Sequence, residues 1–349
     1  MICIDGSRGE GGGQVLRTSL SLSAVLQKKI RIENIRAGRK KPGLQPQHLA
    51  CVNALAQICS AKVYGNAIGS TELSFEPGKT EGGHYEFDIK TAGSATLLFQ
   101  CLLPPLLFAK DPSALTLHGG TDVPFSPPSL FIERVFLPAL SRFGADVTLR
   151  TVKHGFFPAG GGLLHAKIKP VRALKAVHLE NLGKLNRLSA TAISANLPDH
   201  IVARQKAVLE KKIPPENIEL ETTGAKSPGN AVFILAEYEN TVNGFSSLGE
   251  IDKRAEFVAH EALEDFAAFA STGAAIEKHL SDQLLIFAAL AEGGESIFCV
   301  EKISSHAATN LNLLQEILGT KVSEEKNRLT IHPGNGRHER MQDPAIFRT

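Results

Sequence analysis

The sequence holds no tryptophan, three tyrosines and two methionines among 349 residues. Any extensive stacking on nucleobases therefore falls to phenylalanine, histidine or arginine. Cysteine is scarce as well. Cys3, Cys51, Cys59, Cys101 and Cys299 are odd in number and never stand in Cys-x-x-Cys spacing. This excludes a disulfide framework and a thiolate zinc site, and points to free thiols in a reducing compartment. Neither sign of charge dominates: 38 basic residues face 36 acidic ones, for a net charge of +2. Contact with a nucleic acid must then rest on a local patch and not on the global field. Long apolar runs are missing too. Leu97 to Ala109 is rich in Leu and Phe, but it holds two prolines and is too short to span a bilayer. No secretory leader pattern is read, so a cytoplasmic protein without a membrane partner is expected. Two common nucleotide signatures are also absent: no Gly-Lys-Ser/Thr loop and no Gly-x-Gly-x-x-Gly occurs.

What is present is a different glycine loop. Asp5-Gly6-Ser7-Arg8-Gly9-Glu10-Gly11-Gly12-Gly13-Gln14 joins an apolar strand at Ile2 to Ile4 to an apolar-periodic helix at Val15 to Leu26. Glycines let a ligand approach the main chain closely, and a loop feeding a helix start points free N–H groups at an anion. Arg8, Arg17 and Glu10 accompany it. Arginines clamp phosphate, and a carboxylate can hold the Mg²⁺ that travels with it. A tight turn with solvated charges is the competing reading.

Strand and helix signals then alternate, which argues an α/β (α+β) chain of repeated units, each of roughly 80 residues. A basic turn at Arg36-Ala37-Gly38-Arg39-Lys40-Lys41 follows the strand Ile30 to Ile35; it is either a solvated loop or a phosphate grip. Gln100 lies two turns inside the helix read at Thr91 to Ala109, as a core amide or a reader of adenine or ribose. A helix is read from Pro127-Pro128 to Phe143, and three glycines stand between Pro158 and the strand Leu163 to Ile168. From Val171 to about Thr272 glycine loops thin out and surface charge is ordinary. This stretch reads as a smaller α/β unit inserted into the larger one. The helix Glu277 to Ala291 carries His279, Asp282 and Gln283 near its start, where the helix dipole alone favours an acid. His306 stands at a strand-to-helix junction with no carboxylate beside it in sequence. It is a capping residue or, as a neutral imidazole, a nucleophile or base. The polar stretch Gly334 to Thr349 reads as a mobile tail.

These stretches together resemble the RNA 3′-terminal phosphate cyclase family, in its catalytic branch. The resemblance is carried by Asp5 to Gln14, Ile35 to Arg39, Lys41-Pro42-Gly43-Leu44, Gly119-Gly120-Thr121-Asp122 and the segment His279 to Gln283. Most specific is His154-Gly155-Phe156-Phe157-Pro158-Ala159-Gly160-Gly161-Gly162, and His306 matches the family's Ser/Cys-His-x-x-Thr-Asn setting. The family implies a large domain of three repeated units, each a four-stranded sheet with two helices, over 1–180 and 273–349. A small α/β domain at 181–272 is inserted into it. It implies ATP-dependent conversion of an RNA 3′-phosphate to a 2′,3′-cyclic phosphate, through a histidyl-AMP and an RNA(3′)pp(5′)A end.

Carried over residue by residue, the resemblance implies His306 as nucleophile and Glu10 as the metal ligand for Mg²⁺ or Mn²⁺. Arg17, Arg36 and Arg39 are implied near the phosphates. Gln100, His279, Leu280, Ser281, Asp282 and Gln283 are implied around ATP, with His279 at a place where the family pattern carries an aromatic ring. The implied partners are ATP and an RNA with a 3′-phosphate end. Oligomeric state stays open, a homodimer included. Two rivals are weighed: a non-catalytic cyclase-like protein of ribosome assembly, which would lack the histidine, and an enolpyruvyl transferase built of similar units.

Overall fold

The computed structural model describes residues 1–334; the tail read from Gly334 onward lies, past that residue, outside them. The chain is mixed α/β, and its described residues form four four-stranded sheets. The first contains β1 (Ile2–Asp5), β2 (Ile30–Glu33), β3 (Lys62–Tyr64) and β4 (Leu73–Glu76), with α1 (Gly13–Leu26) and α2 (Pro46–Ile58) between its strands. The second contains β5 (His84–Asp88), β6 (Ser113–Gly119), β7 (Asp146–Lys153) and β8 (Gly162–Lys169). Its helices are α3 (Ala95–Leu107) and a run of α4 (Ser129–Phe131) and α5 (Leu137–Ser141) joined by a π-helical turn, Ile132–Phe136. The helix read from Pro127 to Phe143 is thus one run with a widened middle. After the short β9 (Leu174–Lys175), β10 (His178–Leu179) opens a third sheet.

The chain then leaves that sheet. β11 (Leu185–Ala195), α6 (His200–Leu209), β12 (Ile218–Thr223), β13 (Gly229–Tyr238), β14 (Val242–Leu248) and α7 (Ala255–Ala270) form a sheet with two helices. They gather around an apolar cluster of their own, with Val208, Leu209, Val232, Ile234, Val258 and Phe269 at its centre. The third sheet resumes with α8 (Lys278–Leu290), β15 (Ala291–Glu292, paired to β9), β16 (Ser296–Cys299), α9 (Ser305–Leu318), β17 (Lys321–Glu325) and β18 (Arg328–His332).

Three sheets share one strand order, β1-β2-β4-β3, β5-β6-β8-β7 and β10-β16-β18-β17. In each, the first pair is parallel and the other two are antiparallel. One apolar cluster joins them. Its centre is α1, which is buried on almost every side from Val15 to Leu26 and packs against α2, α3 and α9. A helix apolar all round belongs inside a protein, and each fully buried Leu or Val stabilises by about 1.5–3 kcal/mol. Of the three serines that α1 takes inside, Ser21 Oγ donates to the carbonyl of Arg17 or Cys101 and Ser23 Oγ to that of Lys28, whereas the Ser19 hydroxyl is buried without a hydrogen bond. The burial fixes the start of α1, and with it the glycine loop.

Candidate active site

The starts of α1, α8 and α9 meet at one cleft of about 1010 Å³. It is lined among others by Glu10, Arg17, Gln100, Asp282 and His306, and its size suits a nucleotide. Two of these helices are closed by their own side chains. Glu277 caps α8 by accepting from the His279 and Leu280 N–H groups, and Ser304 caps α9 by accepting from Ala307 N–H. Helix α1 begins after Gly12, which supplies no such cap. Its first-turn amides are therefore the ones left for an anion in the cleft.

The glycine loop is shaped to pass α9. Gly9 and Gly11 have φ of 61° and 56°, in the left-handed region that favours glycine. A Cβ on Gly9 would overlap the Thr309 side chain. That closeness lets Glu10 N–H donate to Thr309 Oγ1 at 3.2 Å. The Glu10 carboxylate, 10% exposed, then lies 3.3 Å from Arg39 Nη2 and 3.1 Å from His306 Nε2. His306 sits in the first turn of α9 and is open to the cleft. Residues almost 300 positions apart thus meet in one polar group.

Behind this pair lies a buried polar chain. Asn310 donates from Nδ2 to Asp282 Oδ1 at 2.5 Å and accepts at Oδ1 from Thr18 Oγ1 at 2.9 Å and Gln14 Nε2 at 3.1 Å. Gln14 accepts in turn from Arg17 Nη2 at 2.9 Å. Burial raises the Asp282 carboxyl to about 6, aided by the charge of Glu10 and opposed by His306, Asn310 and Arg17. Asp282 is therefore no helix cap; Glu277 has that place. Glu277 is itself buried and pushed up to about 8 by that burial, against two backbone N–H bonds.

The other candidates divide. Gln100 Nε2 donates to Gln283 Oε1 at 2.6 Å, so these two amides form one unit on the cleft wall. Arg36 Nη1 donates to the Lys41 and Gly43 carbonyls at 2.6 and 2.9 Å, bracing its own turn while still lining the cleft. His279 opens to the cleft, yet protein crowding its ring, with the Lys278 cation, lowers it to about 4. Leu280 is fully buried, and Ser281 is buried with its hydroxyl on the Lys278 carbonyl at 2.8 Å; neither lines the cleft. Sequence reasoning missed Gln14, His48, Glu277 and Asn310, all on the cleft wall. His48 is held neutral, near 3, by burial and by the Arg17 and Arg36 cations. Gln14 and Asn310 had a signal, as the last residues of the glycine-loop motif and of the His306 motif.

Among the described residues no three His, Cys, Asp or Glu side chains gather as a metal cage. Mg²⁺ is commonly held by one or two carboxylates together with substrate phosphates. Glu10, acidic and turned into a cleft edged by arginines, fits that lesser demand.

A family profile described as RNA 3′-terminal phosphate cyclase matches residues 8–323. Relatives named RNA 3′-terminal phosphate cyclase include one from Ectopseudomonas mendocina, 42% identical over 89% of this chain and 92% of its own. Another, from Archaeoglobus fulgidus, is 41% identical over 95% of this chain and 100% of its own. The chain belongs to the RNA 3′-terminal phosphate cyclase family. Among solved structures, EPSP synthase from Acinetobacter baumannii aligns with 91% of this chain and 62% of its own at 13% identity, with a TM-score of 0.29; that likeness is too low to carry an argument.

In this cyclase-family chain the most specific motif, His154 to Gly162, does not line the cleft. It joins the second sheet to the sheet of β11 to β14. His154 is buried, with Nδ1 2.6 Å from Asp122 Oδ2 and Nε2 3.2 Å from Glu221 Oε1 on β12. Thr121 Oγ1 also donates to Asp122 Oδ2, at 2.7 Å, and accepts from Gly155 N–H at 2.8 Å. Ala159 N–H donates to Ser227 Oγ at 2.9 Å, and a Cβ on Gly229 would overlap the Phe156 ring. Burial alone would lower the imidazole, but the hydrogen bonds and charges of Asp122 and Glu221 outweigh it and raise His154 to about 10.

Proposed function

We propose that this protein uses ATP to convert RNA 3′-phosphate ends to 2′,3′-cyclic phosphates, with His306 as the nucleophile that carries AMP. The observation that supports it most is the 3.1 Å approach of His306 Nε2 to Glu10 at the mouth of an uncapped helix start. A phosphate monoester has no good leaving group for ring closure, and adenylylation provides one. Three displacements balance the chemistry. His306 attacks the α-phosphorus through an unprotonated ring nitrogen; the N–P bond forms and pyrophosphate leaves. An oxygen of the RNA 3′-phosphate attacks the same phosphorus, the N–P bond breaks, and His306 is restored. The neighbouring 2′-hydroxyl then attacks the 3′-phosphorus and loses its proton, and AMP leaves.

Each cleft residue has a part in this reading. Glu10 would hold the divalent cation, which supplies charge neutralisation on the phosphates. Arg17 and Arg39 face those phosphates, and the first-turn amides of α1 receive them. Gln100, Gln283, His279 and Asp282 bound the nucleoside end, with Leu280 and Ser281 supporting from behind. The same reading takes 1–180 with 273–349 as one domain and 181–272 as an inserted one.

The test is an oligoribonucleotide bearing a 3′-phosphate, incubated with ATP and Mg²⁺. The expected result is an ATP-dependent end that resists phosphatase and yields a 2′- or 3′-phosphate on acid treatment. An end that stays phosphatase-sensitive contradicts the proposal and favours a cyclase-like protein without catalysis.

A further inference from the structure

Five phenylalanines line the cleft, and four of them are buried: Phe131, Phe136, Phe245 and Phe287. The fifth, Phe125, is fully exposed. Its backbone has φ of 62°, a region sparsely used by bulky residues because Cβ meets the backbone there. The loop around it is held rather than loose. Pro124, Pro127 and Pro128 restrict it. Ser126 Oγ donates to the Val123 carbonyl at 2.9 Å, and Thr96 Oγ1, at the start of α3, donates to the Pro127 carbonyl at 2.8 Å. Ser129 N–H ties the far side to the Thr121 carbonyl at 3.0 Å. A rigid loop thus spends backbone strain on presenting a ring to water at the edge of the cleft, an arrangement that strained positions at ligand sites share.

We infer that Phe125 is the platform on which the base of the RNA's 3′-terminal nucleotide stacks. The inference rests on the reading of the site given above. The RNA phosphate must reach the phosphorus held at His306, so the last nucleotide must enter this same cleft. Single-stranded ends are bound by splaying bases onto aromatic faces, and every base offers such a face. With no tryptophan and three tyrosines in the chain, Phe125 is the exposed phenylalanine on the cleft wall that can take that role. Stacking of this kind tolerates any base, which suits an enzyme acting on ends rather than on a sequence.

The test compares Phe125→Ala with wild type, using 3′-phosphorylated oligoribonucleotides whose last nucleotide is normal or abasic. For the normal oligonucleotide, F125A is expected to raise KM roughly 5- to 100-fold, the range that loss of one base–aromatic stack gives. KM for the abasic one should stay the same, and so should labelling by ATP without RNA. Phe125→Trp would be the chain's only tryptophan, and its emission should fall on titration with the normal oligonucleotide. Loss of RNA-free labelling in F125A would assign the ring to ATP and overturn the inference. A wild type that cyclises ends beside an F125A of equal KM overturns this inference alone. A wild type that labels but leaves 3′-phosphates unchanged overturns the proposed function and this inference with it.

Discussion

Of the histidines that lie against carboxylates, His306 and His154 have opposite characters. His306 is 49% exposed and meets one carboxylate, Glu10, that is shared with Arg39. His154 is 5% exposed and is gripped at both nitrogens, by Asp122 and Glu221. A ring held at both nitrogens inside protein has no lone pair to offer and is kept protonated. A ring held at one nitrogen and open to a cleft keeps a lone pair on the other that can attack a phosphorus. The comparison teaches that residue type and an acidic partner do not make a nucleophile. Access and a free nitrogen do.

Replacing each histidine should separate the two roles. His306→Ala is expected to abolish covalent labelling by α-labelled ATP altogether, while an exposed side chain costs stability only about 0.5 kcal/mol. Thermal melting beside the labelling assay checks both halves. His154→Ala should do the reverse. It leaves Asp122 and Glu221 buried or half-buried without their cation, and breaking such a group costs about 3–5 kcal/mol. A marked fall in melting temperature is expected, with labelling retained below the transition.

Asp282→Ala sharpens the cleft side. Losing a charged partner of Asn310 is worth about 1.5–3 kcal/mol, so labelling at low ATP should fall roughly 10- to 100-fold; a change in melting alone would return Asp282 to a structural part. Gly229→Ala sharpens the other side. Its Cβ would enter the Phe156 ring, and overpacking of this kind costs about 1–3 kcal/mol, read by denaturant unfolding with labelling unchanged.

A further expected effect is on pH. His154 rises from its ordinary 6.5 to about 10 in the folded protein, so the folded state binds the extra proton. Its stabilisation is complete below pH 6.5, where the unfolded chain is protonated as well, and is lost as pH rises towards about 10. Melting temperature should therefore decline across that window, and the decline should be shallower in His154→Gln.

Much of this was legible in the chain. The strand, glycine loop and helix around Glu10 are local chemistry, and the helix read at Val15 to Leu26 is α1 from Gly13. The stretch read from Val171 to about Thr272 differs in composition, and β11 to α7, with an apolar cluster of their own, lie within it. Strand β14 was not legible: Val242-Asn243-Gly244 reads as a turn, yet Asn243 is buried and binds the Ala275 carbonyl and Glu277 N–H across to α8. Strand β17, Lys321–Glu325, is charged and mostly exposed, so no alternation marks it. In the site, His306, Glu10 and Asp282 were named, but their meeting depends on the packing of α1 against α9, which no spacing encodes. The three glycines after Pro158 mark a close approach to either chain or ligand, and here the neighbours are Ala92 and the Lys226 side chain.

One measurement bears most directly on the account. The protein is incubated with α-³²P-ATP and Mg²⁺ without RNA, denatured, and the labelled peptide is mapped. The account predicts a bond stable to alkali and lost in mild acid, as a phosphoramidate is, on the peptide containing His306. Label on another residue, or none from folded protein beside a control that labels, would contradict it.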